Sequence, residues 1–384
     1  MEPKIRLKGF SGAWKEKPLL DVVTLYNGLT YTPNDIRDRG TLVLRSSNVQ
    51  EGEISLLDNV YVRSEAATSP NVEKGDIIVV VRNGSRALIG KHAQIKTDMP
   101  NTVIGAFMAG MHTDEPEFMN ALLCTSRFDN EVTINLGATI NQITNGTFRS
   151  MNFLFPDKKE QKALGAYFQH LDSLIQSSTK KIESLKQVKA ASLQSMFPQE
   201  GETTPRVRFK GFDGEWEIDT LENIARIIKG EQINKNELFD HGTYYVLNGG
   251  VEPSGYTENY NTKSDTISIS EGGNSCGYVY YNTSNFWSGG HNYTLQNVSI
   301  NNCFLYAYLK SKEHEIMSKR VGSGLPNIQK KSLQEFSVRF PINSAEQQLL
   351  GSFFFSLDSQ ITLHTQRLEK LKRIKFACLD NMFV

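Results

Sequence analysis

Cysteine is scarce in this chain: Cys124, Cys276, Cys303 and Cys378 are the four among 384 residues, and no two form a Cys-x-x-Cys pair. Neither a zinc cluster nor a disulfide framework follows from such spacing, and a reducing, cytoplasmic setting is expected. No run of 18 apolar residues occurs, so no membrane span is expected, and the opening Met1 to Phe10 lacks the apolar core of a signal peptide. Net charge is missing as well, with 42 Lys and Arg against 42 Asp and Glu. Any nucleic-acid binding must therefore come from local basic faces.

Catalytic constellations are also absent. Gly84 to His92 resembles a phosphate loop, but five residues separate Gly84 from Gly90 where four are needed, and His92 follows Lys91 where Ser or Thr would hold the metal. Gly272 to Gly277 lies between strand-like runs and reads as a tight turn, not a dinucleotide loop. No Asn-Pro-Pro-Tyr or Asp-Pro-Pro-Tyr tetrapeptide occurs to hold a flipped adenine, and the seven histidines show no metal-ligand spacing. No metal site and no resident cofactor are expected.

What the chain does have is repetition. Arg6-Leu-Lys-Gly-Phe-Ser-Gly-Ala-Trp14 returns as Arg208-Phe-Lys-Gly-Phe-Asp-Gly-Glu-Trp216, identical at six of nine positions. The offset continues without a gap through Leu19 and Leu221, Val22 and Ile224, and Gly28 and Gly230. A second repeat aligns Glu160–Phe197 with Glu346–Phe383 at 18 identities in 38. Between these ends the two globular stretches share only fragments, which is how two readers of different targets on one scaffold would look.

Within the second repeat, Leu164, Phe168, Leu171, Ile175, Ile182 and Leu185 step by three and four, as do Leu350, Phe354, Leu357, Ile361, Leu368 and Leu371. This a/d seam predicts two long helices that pair with each other. Polar Ser178 and His364 at one heptad place, and Lys189 and Lys375 at another, would fix the register. Pro156 and Pro341 precede the helices and Pro198 follows the first, as start and stop signals require. Trp14 and Trp216 read as structural anchors of the duplicated opening. Short Val, Ile, Thr and Tyr runs between Gly, Asn and Ser turns predict mixed α and β domains.

The remaining candidates are loops whose side chains suit base edges and phosphates. In the first half these are Arg45, Ser47 and Asn48, then Arg82, Asn83, Ser85, Arg86 and Lys91. In the second they are Asn248, Asn274, Ser275, Ser288, His291 and Asn292. Arg can hold guanine by two hydrogen bonds and Asn can hold adenine likewise. Asn, Gly and Ser also make turns in any protein, so it is the recurrence of such loops in both halves that carries weight.

The doubled Lys-Gly-Phe-x-Gly-x-Trp opening, the divergent interiors and the doubled Glu-Gln-x-x-Leu-Gly helix start resemble the specificity subunit of type I restriction-modification systems along the whole chain. The resemblance implies an α+β fold with two similar target-recognition domains (1–158 and 199–343), a central spacer helix (159–198) and a C-terminal spacer helix (344–384), the two helices antiparallel and related by a pseudo-twofold repeat. It implies that each domain reads one half of a split, asymmetric double-stranded DNA target. Two modification subunits would carry adenine methylation and S-adenosylmethionine, and two restriction subunits would supply ATP- and Mg-dependent translocation and cleavage. The chain itself would be non-catalytic. Two alternatives stay open at this point: a coiled-coil adaptor that never touches DNA, and a stand-alone methyltransferase or nuclease with an unfamiliar site.

Overall fold

A computed structural model describes residues 2–136, 141–322, 324 and 326–384. The chain divides into two units, Met1–Thr179 with Gln366–Val384, and Lys180–Thr365. Each unit contains one globular α+β domain together with segments of both long helices, Lys158–Ser195 and Ser344–Met382.

In the first unit, strand Lys15–Pro18 pairs antiparallel with Asn152–Phe155, which leads straight into the first long helix. Two four-stranded sheets follow. One orders Thr24–Asn27, Met108–His112, Ile77–Val80 and His92–Gln94; the other orders Thr102–Ile104, Thr41–Leu44, Val60–Val62 and Ile36–Arg37. The Ile77-Ile-Val-Val80 strand is a continuous β-branched run buried along its whole length, as a strand covered on both faces should be.

The second unit repeats this plan with fewer strands among the described residues. Glu217–Thr220 pairs with Ser337–Phe340 before the second long helix. A four-stranded sheet orders Arg226–Lys229, Asn292–Gln296, Thr266–Ser270 and Val279–Asn282, and a three-stranded one orders Gly255–Thr257, Tyr244–Leu247 and Trp287–Ser288. Each unit has one parallel strand pair among its described residues: Leu42–Leu44 beside Thr102–Ile104, and Val246–Leu247 beside Trp287–Ser288.

The helices pair within each unit. In the first, Asp172 meets Lys375 at 2.6 Å, Tyr167 meets Cys378 at 3.3 Å, and Phe168 lies 5.6 Å from Phe383 by ring centroids. Partner numbers fall as helix numbers rise, so the segments run antiparallel. In the second, Lys189 meets Asp358 at 2.5 Å and Phe197 stacks on Phe354 at 5.3 Å. The two seam lysines thus find carboxylates at equivalent heptad places. Nine of the twelve seam residues are buried, and Ile175, Ile361 and Leu371 are partly so. Ser178 is buried in the seam and His364 half-buried.

Each domain opening is locked onto a helix start by one ion pair. Arg6 grips the carboxylate of Glu160 through Nε and Nη2 at 2.8 and 2.7 Å, and its Nη1 donates to the Gly12 carbonyl. Arg208 repeats this on Glu346 at 2.7 and 2.8 Å, with Nη1 on the Gly214 carbonyl. Both glutamates are almost wholly buried and lie in the first helical turn, where the helix dipole favours a carboxylate. The tryptophans are core: Trp14 meets Phe383 and Trp216 meets Phe197, both edge-on at 6.1 Å.

In the first unit Asp76 is buried. It accepts from Tyr26 Oη at 2.7 Å and from the Glu73 amide at 2.9 Å, with His112 Nδ1 at 3.0 Å on its other oxygen. The hydrogen bond to Asp76 holds the imidazole protonated above its ordinary range.

Removing Arg6 or Arg208 strands a buried carboxylate, which costs about 3–5 kcal/mol for a buried pair broken on one side. Arg6→Ala and Arg208→Ala should each lower the denaturant midpoint of the unit they belong to, and an unchanged midpoint would dismiss the clamp. Because the raised imidazole contributes stability only while protonated, that contribution is full below the ordinary value of about 6.5 and fades as pH rises through the folded value. The Tm difference between wild type and His112→Gln should therefore shrink on going from about pH 6 to pH 9; a difference independent of pH would refute the assignment.

Candidate nucleic-acid interface

In the first domain the parallel strands end together. Gly105 N–H donates to Leu44 O at 2.8 Å, and Leu29 N–H donates to Ile104 O at 2.7 Å. The backbone at Gly28 runs so close that an added Cβ would lie 1.9 Å from Gly105 O, which leaves room for glycine alone. Beside this junction the amides of Val81 and Arg82 both reach Phe107 O, at 2.9 and 3.2 Å, while Ile143 N–H reaches Val81 O at 2.9 Å. Asn83 Nδ2 donates to Ser46 Oγ at 3.1 Å, tying the loop after Leu44 to the loop after Val81.

The second domain rebuilds the same junction. Gly289 N–H donates to Leu247 O at 2.7 Å and Glu231 N–H to Ser288 O at 2.9 Å. A Cβ on Gly230 would meet Gly289 O at 2.2 Å. Glu271 N–H reaches His291 O at 2.9 Å, and Ile328 N–H reaches Glu271 O at 2.8 Å. These matched bonds place Asn248 where the first domain has Arg45, Gly272 where it has Arg82, and His291 where it has Phe107.

The side chains carried on the two frames differ. In the first domain Ser47, Arg82, Ser85, Arg86 and Lys91 are exposed. Arg82 lies over the Phe107 ring, 5.2 Å from its centroid, and Arg86 donates to Leu136 O at 3.3 Å. Arg45 is half-buried and paired to Asp58 at 2.7 Å. In the second domain Asn274 and His291 are exposed, while Asn248 and Ser275 are half-buried. Glu271 gathers the polar groups there, with Lys229 Nζ at 2.6 Å and His291 Nδ1 at 3.5 Å, and Tyr293 Oη donates to it at 3.0 Å.

Three sequence candidates are corrected by burial. Asn48 is fully enclosed: its Oδ1 accepts from the Arg45 amide at 2.9 Å, and its Nδ2 donates to the carbonyls of Ser55 and Asp58 at 2.8 and 3.1 Å. Ser288 and Asn292 are buried and bonded to each other at 3.1 Å. They shape the loops and leave nothing for a base. Asn83 and Asn248 are also partly committed, Asn248 through Oδ1 to the His291 amide at 3.0 Å. Phe107, 52% exposed beside Arg82, was not among the candidates. A single Phe in a Gly-Ala-Phe-Met run carries no motif, and only the match to His291 points to it.

The phosphate-loop lookalike is closed off. The segment after Gly84 makes one short turn, Arg86–Leu88, in place of a helix. His92 faces Gly90 O at 3.1 Å and Cys124 Sγ at 3.4 Å, and burial draws its imidazole below the usual range. Gly272 to Gly277 joins strands Thr266–Ser270 and Val279–Asn282 as a turn. Among the described residues no three His, Cys, Asp or Glu side chains are grouped to hold a metal, and no helix is long and apolar enough to cross a membrane.

Comparison with known proteins agrees with the duplicated frame. The chain is 32% identical over 161 residues to a type I specificity subunit of Mycoplasma genitalium, a match spanning 41% of this chain and 42% of that protein. It is 25% identical over 184 residues to the EcoKI specificity subunit of Escherichia coli, covering 46% of this chain and 39% of that one. The matched stretch thus spans less than half the length of these curated relatives. The crystal structure of a type I restriction-modification S subunit from M. genitalium shares the fold along 100% of this chain and 99% of its own, with a TM-score of 0.76 at 19% identity. The family model for the type I restriction modification DNA specificity domain matches residues 12–187 and again 213–373. The chain belongs to this family and carries its domain twice.

Proposed function

We propose that the chain is the non-catalytic, sequence-reading subunit of a type I restriction-modification complex, each domain reading one half of a split double-stranded DNA target. The observation that carries this reading is the repeated loop junction: matching backbone bonds in both domains present Arg45, Arg82 and Phe107 in one, and Asn248, Gly272 and His291 in the other. A fixed frame with exchanged side chains is what two readers of unlike sequences need. The reading set is Ser47, Arg82, Ser85, Arg86 and Lys91 in the first domain, and Asn274, Ser275 and His291 in the second.

The long helices set the spacing between half-sites and dock two identical modification subunits, which the internal repeat accommodates around a pseudo-twofold axis. Base extrusion and methyl transfer from S-adenosylmethionine fall to those subunits. Two restriction subunits supply ATP-driven, Mg-dependent cleavage, and the complex works in the cytoplasm.

Arg82→Ala or Arg86→Ala should weaken discrimination in one half-site alone, by about 1–3 kcal/mol for a bidentate base contact. Asn274→Ala or His291→Ala should affect only the other half. Methylation of a duplex panel with each half-site varied separately reads this out, and equal damage to both halves would move the residue to a phosphate or folding role.

Inserting four residues near Ser178 adds roughly 6 Å, close to a whole helical turn, and keeps the seam nearly in phase. At about 3.4 Å per base pair the preferred spacer should lengthen by one or two pairs with the half-sites unchanged. An active insertion mutant with the original spacer preference would show that the helices do not set the distance.

A further inference from the structure

Resting on the reading just given, we propose that Phe107 is a positioning residue that holds Arg82 as a fixed reader of guanine, so that the half-site read by the first domain contains a G·C pair whose recognition needs both side chains. Phe107 is an apolar side chain left 52% exposed at the tip of a loop junction. Its backbone carbonyl receives the amides of both Val81 and Arg82, so ring and guanidinium are carried on one rigid piece of chain. The guanidinium carbon stands 5.2 Å from the ring centroid, within cation–π range. Arg82 is exposed and forms no ion pair among the described residues.

Attraction to a ring face is not an ion pair and leaves guanidinium N–H groups available for another acceptor. The N–H fork therefore stays free and points in a limited set of directions, which suits the O6 and N7 acceptors of guanine in the major groove. The second domain lacks this device, with Gly272 and His291 in the two matched places. Its half-site should accordingly be read without an arginine held over a ring face.

The test uses the complete complex of this chain with its modification subunits and S-adenosylmethionine, scoring methyl transfer on duplexes in which each base pair of the first half-site is changed in turn. Arg82→Lys and Phe107→Leu should each relax discrimination at the same G·C pair by about tenfold or more. Phe107→Tyr should retain it, because the π face remains, and preferences in the second half-site should not move. If Arg82→Lys relaxes one pair while Phe107→Leu leaves it intact, the positioning role is overturned and the DNA reading stands. Equal slowing on all duplexes by Phe107→Leu would make Phe107 merely structural. Relaxation at an A·T pair would overturn the guanine assignment. If neither these variants nor Asn274→Ala alter any preference, the assignment of both loop sets to DNA falls with it.

Discussion

The structure hangs on a buried carboxylate gripped by an arginine at each domain opening. Glu160 and Glu346 lie in the first turns of the long helices, and each is held by two nitrogens of an arginine that begins a domain, 154 and 138 residues away in sequence. A buried carboxylate tolerates no partial partnership. The fork of Arg6 or Arg208 must arrive in register, and with it come the Gly-rich turn, Trp14 or Trp216, and the strand that pairs beside the helix start. Each domain opening is thereby fixed to its helix start, which the proposed reading requires of a subunit that measures DNA.

From that anchor outward, backbone geometry is kept and side chains are exchanged. Gly28 and Gly230 allow strand backbones to pass where any Cβ would collide with a carbonyl, and the bonds at Leu44 and Leu247 close the same junction twice. On the proposed reading, a new target can then arise by substitution at the exposed tips without disturbing the core beneath.

Legibility in the sequence followed the same division. The repeats exposed the two domains and two helices, since packing demands apolar residues at fixed periods whatever the target. Lys189 and Lys375 were readable as register-setting, but Asp172 and Asp358 were not recognised as their partners, because a carboxylate on a helix surface has no distinctive pattern. Burial divides the candidate loop residues in a way their chemistry does not. Asn48, Ser288 and Asn292 have the right chemistry for a base edge, yet that chemistry serves equally well for closing a turn, and only burial separates the two uses. Phe107 escaped because its proposed role comes from a neighbour 25 positions back in the chain, Arg82, which a sequence does not place beside it.

On the proposed reading, charge bears on why the chain would work as part of an assembly. With 42 basic and 42 acidic residues it has no net attraction for a polyanion, and several cations are paired internally: Arg45 with Asp58, Arg63 with Asp35, Lys96 with Glu53, Lys229 with Glu271. Non-specific affinity for DNA scales with the number of phosphates neutralised, so a chain of this kind gains little of it. Weak general affinity suits a reader, because discrimination depends on the difference between right and wrong sequences and not on the total. On the proposed reading the bound modification subunits supply the phosphate contacts, and this chain supplies the few base contacts, such as that of Arg82, by which one sequence is told from another.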